Sequence, residues 1–311
     1  MNSELKKILL AVDGSEQSLE AVRYISDIFP FDSIKVVLFH VLSNEPEVFH
    51  DLGRESKYAA FHMGKEVWKR AMMDTMKRFM GEARRILLAK GVPEKEIIIK
   101  IQKKKAGIAR DIFAESIHGY SMVVVGRCGT GKFKDLVIGS IADKLVERLS
   151  HVTICAVGDR PKTDKLLLAL DESEGAMRAV DFVGSMLCQS SCAVTLFHVL
   201  RGLNVLAGRF ENLFDPAYEK KWIAAYEIES LFEEAKMHLV GPGVSPDRLS
   251  TKLVPGASSR GGAIVKELLD AGHGTVVVGR RGLSNVREFS MGRVTNKVVQ
   301  LAKENAVWVI K

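Results

Sequence analysis

The feature that most constrains this chain is that it says the same thing twice. KKILLAVDGS from Lys6 is answered by KLLLALDES from Lys165, KVVLFHVL from Lys35 by AVTLFHVL from Ala193, and SMVVVGRCG from Ser121 by GTVVVGRRG from Gly274. Asp13 and Asp171, like Val41 and Val199, stand 158 positions apart, whereas Gly126 and Gly279, like Gly139 and Gly292, stand 153 apart. The offset therefore predicts one loss of five residues between the second and fourth strands. A self-match at one long period marks a tandem duplication, so any fold proposed for one half must serve the other. Two domains are expected, residues 1–158 and 165–311, joined by the polar, proline-containing stretch GDRPKTD. At 311 residues each half is long enough to bury its own core.

Within each copy, short apolar runs alternate with longer segments of helical period. Val123, Val124 and Val125 form an uninterrupted β-branched run, which reads as a buried strand because branched side chains pack well on a pleated surface. In the first half the strands are placed at Lys6 to Asp13, Ser33 to Leu42, Glu96 to Gln102, Met122 to Gly126 and His151 to Val157. Helices are placed from Ser15 to Pro30, from about Val67 to Lys90, and from Gly107 to His118, with another opening at Gly139-Ser140. Strand and helix in alternation require a parallel sheet covered on both faces, an α/β architecture. Segments 43–65 and 201–221 give no clear periodicity.

Composition narrows the class. Net charge is +7, with 47% hydrophobic and 27% charged residues, values typical of a globular protein. Neither half carries a strongly cationic arm, so a nucleic-acid partner is not expected. Lys103, Lys104 and Lys105, the densest basic run, read as a charged strand end. The apolar run after Lys6 and Lys7 is stopped by Asp13, too short for a signal sequence or a membrane span. A cytoplasmic chain is expected, and Cys128, Cys155, Cys188 and Cys192 read as thiols. Their spacings, and those of the histidines, do not form a metal-ligand pattern.

The chemistry concentrates in SMVVVGRCGTGKFKDLVIGSIADKLVE, Ser121 to Glu147. A strand runs into Gly126, Gly129 and Gly131, and Gly139-Ser140 then opens an amphipathic helix with Ser140 as the expected cap. Glycines let the backbone approach a ligand, and the open N–H groups of a helix start favour an anion. GRCGTGKF misses the P-loop pattern because Phe133 replaces its terminal hydroxyl, and Lys134 stands at the third glycine of a dinucleotide fingerprint.

The remaining spacing, Gly126, Gly129, then Gly139-Ser140, resembles the ATP-binding signature of the universal stress protein family, and the resemblance covers both halves. It implies two doubly wound, five-stranded open sheets of strand order 3-2-1-4-5. It also implies ATP, with Mg2+, lying across the strand ends of the first half. Matched to that signature, Ala11, Val12 and Asp13 form the first ligand segment, and Val41, placed after the second strand, meets the base. Val125, Gly126, Cys128 and Gly129 begin the phosphate loop; Gly139, Ser140, Ile141 and Ala142 close it, with Lys132 and Lys134 lending charge between them. In this family the fifth strands pair across a dimer, so the two halves are expected to form one pseudo-dimer, with a homodimer of whole chains left open.

The second copy keeps Asp171, Val199, Gly279, Gly282 and Gly292 but has Arg293 in place of the hydroxyl. Weak or absent binding is expected there. The implied role is a nucleotide-dependent stress-response regulator. A nucleotide-free scaffold and a slow ATPase or phosphotransfer protein stay open as alternatives, since no catalytic base is visible and His40 and His198 read as packing residues. Adenylyl-transfer enzymes are disfavoured, because HIGH-like and KMSKS-like segments are missing.

Overall fold

The computed structural model describes residues 5–42, 59–128, 138–200, 216–255, 257–282 and 291–311. The first half runs β1 (Lys6–Ala11), α1 (Glu16–Ile28), β2 (Ile34–Leu42), α2 (Ala59–Ala89), β3 (Ile97–Lys103), α3 (Ile108–Ser116), β4 (Met122–Gly126), α4 (Ser140–Arg148) and β5 (Thr153–Val157). The second half repeats it as β6 (Lys165–Ala169), α5 (Glu174–Leu187), β7 (Ala193–Val199), α6 (Pro216–Val240), β8 (Leu249–Val254), α7 (Arg260–Asp270), β9 (Thr275–Gly279), α8 (Arg293–Leu301) and β10 (Ala306–Ile310).

Each half has the expected strand order, but the sheets are not separate. They form one ten-stranded sheet ordered β3-β2-β1-β4-β5-β10-β9-β6-β7-β8. Every neighbouring pair is parallel except β5 and β10, which run antiparallel with Cys155 opposite Trp308. The fifth strands are therefore interior. The edges are β3 and β8.

Alternation along the strands sorts side chains to two faces. Met122 and Val124 of β4 join one core with Leu19, Val22 and Ile25 of α1, Met80 and Leu87 of α2, Val180 of α5 and Phe232 of α6. Val123 and Val125 join the other with Ile112 of α3, Leu145 of α4, Leu268 of α7 and Val298 of α8. Each core contains residues of both halves. Burying a Val or Leu side chain contributes roughly 1.5–3 kcal/mol, which drives this layering.

Two sequence expectations are corrected. Helix α2 begins at Ala59, not near Val67; its first turns are rich in Ala, Met, Lys and Glu and contain no proline, so helix propensity carries the chain into the polar segment. The repeat offset changes twice rather than once. Val36 pairs with Ile97, and its counterpart Val194 with Leu249. The ion pairs Lys100–Glu115 and Lys252–Glu267 are equivalent, as are the left-handed glycines Gly119 and Gly272. Six residues are thus lost before β3, and one is regained between Glu267 and Gly272.

Candidate nucleotide site

Ala11 of β1 lies opposite Val125 of β4. Because β1 is flanked by β2 on one side and β4 on the other, the winding direction reverses between β1 and β4, and a crevice opens beyond their carboxyl ends. Asp13 follows β1 into that crevice and is exposed. Its Oδ1 accepts from Ser15 N at 3.0 Å, from Ser15 Oγ at 2.6 Å and from Ser18 Oγ at 2.6 Å, while Asp13 N donates to Ser18 Oγ at 3.0 Å. Ser15 in turn caps α1 by accepting from Ser18 N. The carboxylate is thereby fixed at a helix N-terminus whose dipole favours its charge. Gly14, at φ +89°, supplies the turn that lets α1 start immediately after it.

The end of β1 is held from β2. Val12 N donates to Phe39 O at 2.9 Å, and His40 Nδ1 donates to Val12 O at 2.7 Å. The carbonyl can only accept, so this contact fixes the proton on Nδ1. His40 is buried, and that burial lowers its pKa. The equivalent bond joins His198 Nδ1 to Leu170 O at 3.0 Å. Both histidines thus tie strand ends together. Val41 lies within β2 rather than after it and pairs with Gln102 of β3, while the β1 register ends at Phe39.

On the other wall, Gly126 faces α1 so closely that a Cβ would sit 3.1 Å from Gln17 O. Cys128 N donates to Gln17 Oε1 at 3.1 Å, which aligns the start of the glycine loop with the helix. Gly139 N donates to Arg127 O at 2.6 Å and closes the loop. Gly139, not Ser140, is the N-cap of α4, in an extended conformation and without a side-chain cap bond. Ser140 is the first helical residue and exposed, Ile141 is partly buried and Ala142 is buried. Among the described residues no side chain caps the N–H groups of this turn, as an anion site requires. Gly129, Lys132 and Lys134 lie outside the described residues.

The second half builds the same crevice with different contents. Asp171 Oδ1 accepts from Ser173 N at 3.1 Å and from Ser173 Oγ, but Ala176 replaces Ser18. A Cβ on Gly282 would fall onto Asp171 Oδ2, so the glycine permits the loop to touch the carboxylate. Val199 is buried near the end of β7, Gly279 ends β9, and Gly292 caps α8 without a side-chain bond. Thr295 Oγ1 donates to Gly279 O at 2.6 Å where the first half has Ala142. Arg281 replaces Cys128, and Arg293, exposed, replaces Ser140.

Sequence reasoning missed Gln17, Ser18 and a pair of buried arginines. Arg127 and Arg280 follow the glycines of β4 and β9 and are 2% and 6% exposed. Arg127 donates to Val299 O, in the other half. Arg280 donates to Val146 O at 2.8 Å, to Glu147 O at 3.3 Å and to Leu149 O. Their signal was the Gly-Arg pair repeated after both Val-Val-Val runs. Among the described residues there is no cluster of His, Cys, Asp or Glu suited to a metal ion, and no helix long and apolar enough to cross a membrane.

Comparison with known proteins agrees with this architecture. The model of the universal stress protein family matches residues 4–154 and again 162–311. Among solved structures, a universal stress protein from Archaeoglobus fulgidus DSM 4304 is similar at 18% identity and a TM-score of 0.57, covering 98% of this chain and 96% of that one. A functionally unknown protein from Pseudomonas aeruginosa PAO1 is similar at 13% identity and a TM-score of 0.52, covering 99% and 92%. A putative universal stress protein from Pseudomonas aeruginosa UCBPP-PA14 follows at 14% and 0.51, covering 99% and 93%. These likenesses concern the fold. None of the curated proteins compared matches. With its family model matched twice along the sheet, the chain belongs to the universal stress protein family and carries two copies of the family domain in tandem.

Proposed function

We propose that this chain binds ATP in the crevice of its first half and works as a cytoplasmic, nucleotide-dependent stress-response regulator, with its two halves acting as one pseudo-dimer. The observation that carries the reading is the β1–β4 register, with Ala11 opposite Val125, which sends Asp13 off one strand end and the loop leading to α4 off the other. One wall offers a fixed carboxylate acceptor, and the other offers backbone donors beside an exposed hydroxyl. A nucleotide presents the complement: hydroxyl and amine donors at one end and anionic oxygens at the other. Asp13 would receive the ribose or base, while Gly139, Ser140, Ile141 and Ala142 would receive the phosphates. The approach of Gly126 to α1 supports this, because any side chain there would push the loop wall out of place. The pseudo-dimer is supported by the β5–β10 ladder, and the cytoplasmic assignment by four cysteines held as thiols rather than disulfides. Bound Mg2+ would neutralise phosphate charge.

In the second half Arg293 brings bulk and charge where the first half has a small hydroxyl. The reading is tested by counting adenine nucleotides released when the freshly purified chain is denatured. One per chain is expected, lost in Ser140→Arg, which copies the second half at an exposed position. No nucleotide, and no uptake from millimolar Mg-ATP, would overturn the reading in favour of a scaffold that acts through partner binding.

A further inference from the structure

Helix α4 is held at both ends by equivalent arginines from different halves. At its start, Arg127 O of the first half accepts from Gly139 N at 2.6 Å. At its end, the Arg280 guanidinium of the second half reaches the carbonyls of Val146, Glu147 and Leu149. Helix α8 is held in the mirror sense: Arg280 O accepts from Gly292 N at 2.8 Å, and Arg127 donates to Val299 O. Each arginine is rooted in the sheet, since Arg127 N donates to Val157 O and Arg280 N to Ile310 O, both at 2.9 Å.

The last carbonyls of a helix lack intrahelical partners and carry the negative end of its dipole. A guanidinium with donors in a fixed fork suits them, and charge-assisted bonds offset the cost of burying it. Burial pushes the Arg280 pKa down to about 10, so the cation persists at neutral pH. Nine residues make α4 a rod of about 13 Å. In so short a helix, freeing the far end lets the N-terminal donors drift from the ligand they face.

We propose that Arg280 is a positioning residue for the first-half nucleotide site: the second half serves that site by clamping the far end of α4. This rests on the nucleotide reading above and deepens it. The divergent half is then an integral part of the working site, whether or not it takes up a ligand.

The test titrates the full-length chain with ATP and with adenosine, comparing wild type, Arg280→Lys and Arg280→Gln. Loss of charged hydrogen bonds is expected to weaken ATP binding in Arg280→Gln about tenfold or more. Adenosine, which lacks the phosphates that α4 would meet, should change less than about twofold, and Arg280→Lys should recover part of the loss. Equal loss for both ligands, or ATP binding as in wild type, overturns the proposal. If wild type itself takes up no ATP, the nucleotide reading falls separately. The clamp is then judged by hydrogen exchange at Asp143 to Val146, the first amides bonded within α4, which Arg280→Gln should speed by about tenfold, and which an unchanged rate would refute.

Discussion

The indole Nε1 of Trp308 donates to the hydroxyl of Tyr24 at 2.8 Å, joining residues from opposite halves of the chain. Tyr24 also lies 2.8 Å from Thr275 Oγ1, and Trp308 packs between Phe29 and Phe182. Both partners are buried. Tyr24→Phe keeps the packing but strands the indole N–H, which should cost about 1–3 kcal/mol. Urea unfolding is expected to show a lower midpoint at unchanged slope, and an unchanged midpoint would count against the contact.

Asp13 and Asp171 perform the same task at a helix start, accepting from Ser15 and Ser173 respectively. Replacing either with alanine should lower stability by about 1 kcal/mol. Only Asp13→Ala should weaken nucleotide binding, by tenfold or more on the scale of about 1.4 kcal/mol per decade. Calorimetric titration beside thermal unfolding separates the two effects. Equal loss of affinity in both variants would contradict the division of labour between the halves.

Burial lowers the pKa of His40, His198 and His273 from an ordinary value of 6.5. In the unfolded chain these rings take protons first as pH falls. Their contribution to stability is therefore complete above pH 6.5 and is lost as pH falls toward the folded values. Unfolding free energy should decline from pH 7 to pH 5, and His40→Gln should flatten that decline. A variant as pH-sensitive as wild type would remove His40 from the account.

All four cysteines are thiols outside any disulfide, with Cys155 and Cys192 buried and Cys128 and Cys188 partly accessible. Burial pushes the Cys155 thiol well up and the Cys192 thiol to about 12. Native chain treated with a thiol reagent at pH 7.5 should carry label at Cys128 and Cys188 alone, read by peptide mass spectrometry. ATP should shield Cys128, which opens the glycine loop, and leave Cys188 reactive. Labelling of Cys128 at the same rate with and without ATP would place the nucleotide elsewhere.

The strands could be read in the sequence because β-branched runs such as Val123 to Val125 favour one conformation, and the second copy says so again. The adjacency of β1 and β4, which puts Asp13 beside the glycine loop, came from the family resemblance rather than from spacing. The start of α2 is masked in the sequence because Phe61, His62 and Gly64, which favour a helix weakly, interrupt the stronger helix formers around them. Ser140 was read as a cap because hydroxyls favour that position, yet the extended backbone falls one residue earlier, at Gly139. The arginine clamps show in the sequence only as a Gly-Arg pair repeated after both valine runs. Their partners are backbone carbonyls more than 100 positions away, which leave no side-chain signature.

The β5–β10 ladder also changes how the assembly depends on quantity. Two separate copies of such a domain would meet only as their concentration allowed, and would meet at random. Here the partner strand is tethered, so its effective concentration is set by a linker of a few residues and does not fall on dilution. Every molecule therefore has one half with Ser140 and one with Arg293, in fixed proportion. A symmetric dimer of a single gene product could not hold that asymmetry, because any change to one site would alter both.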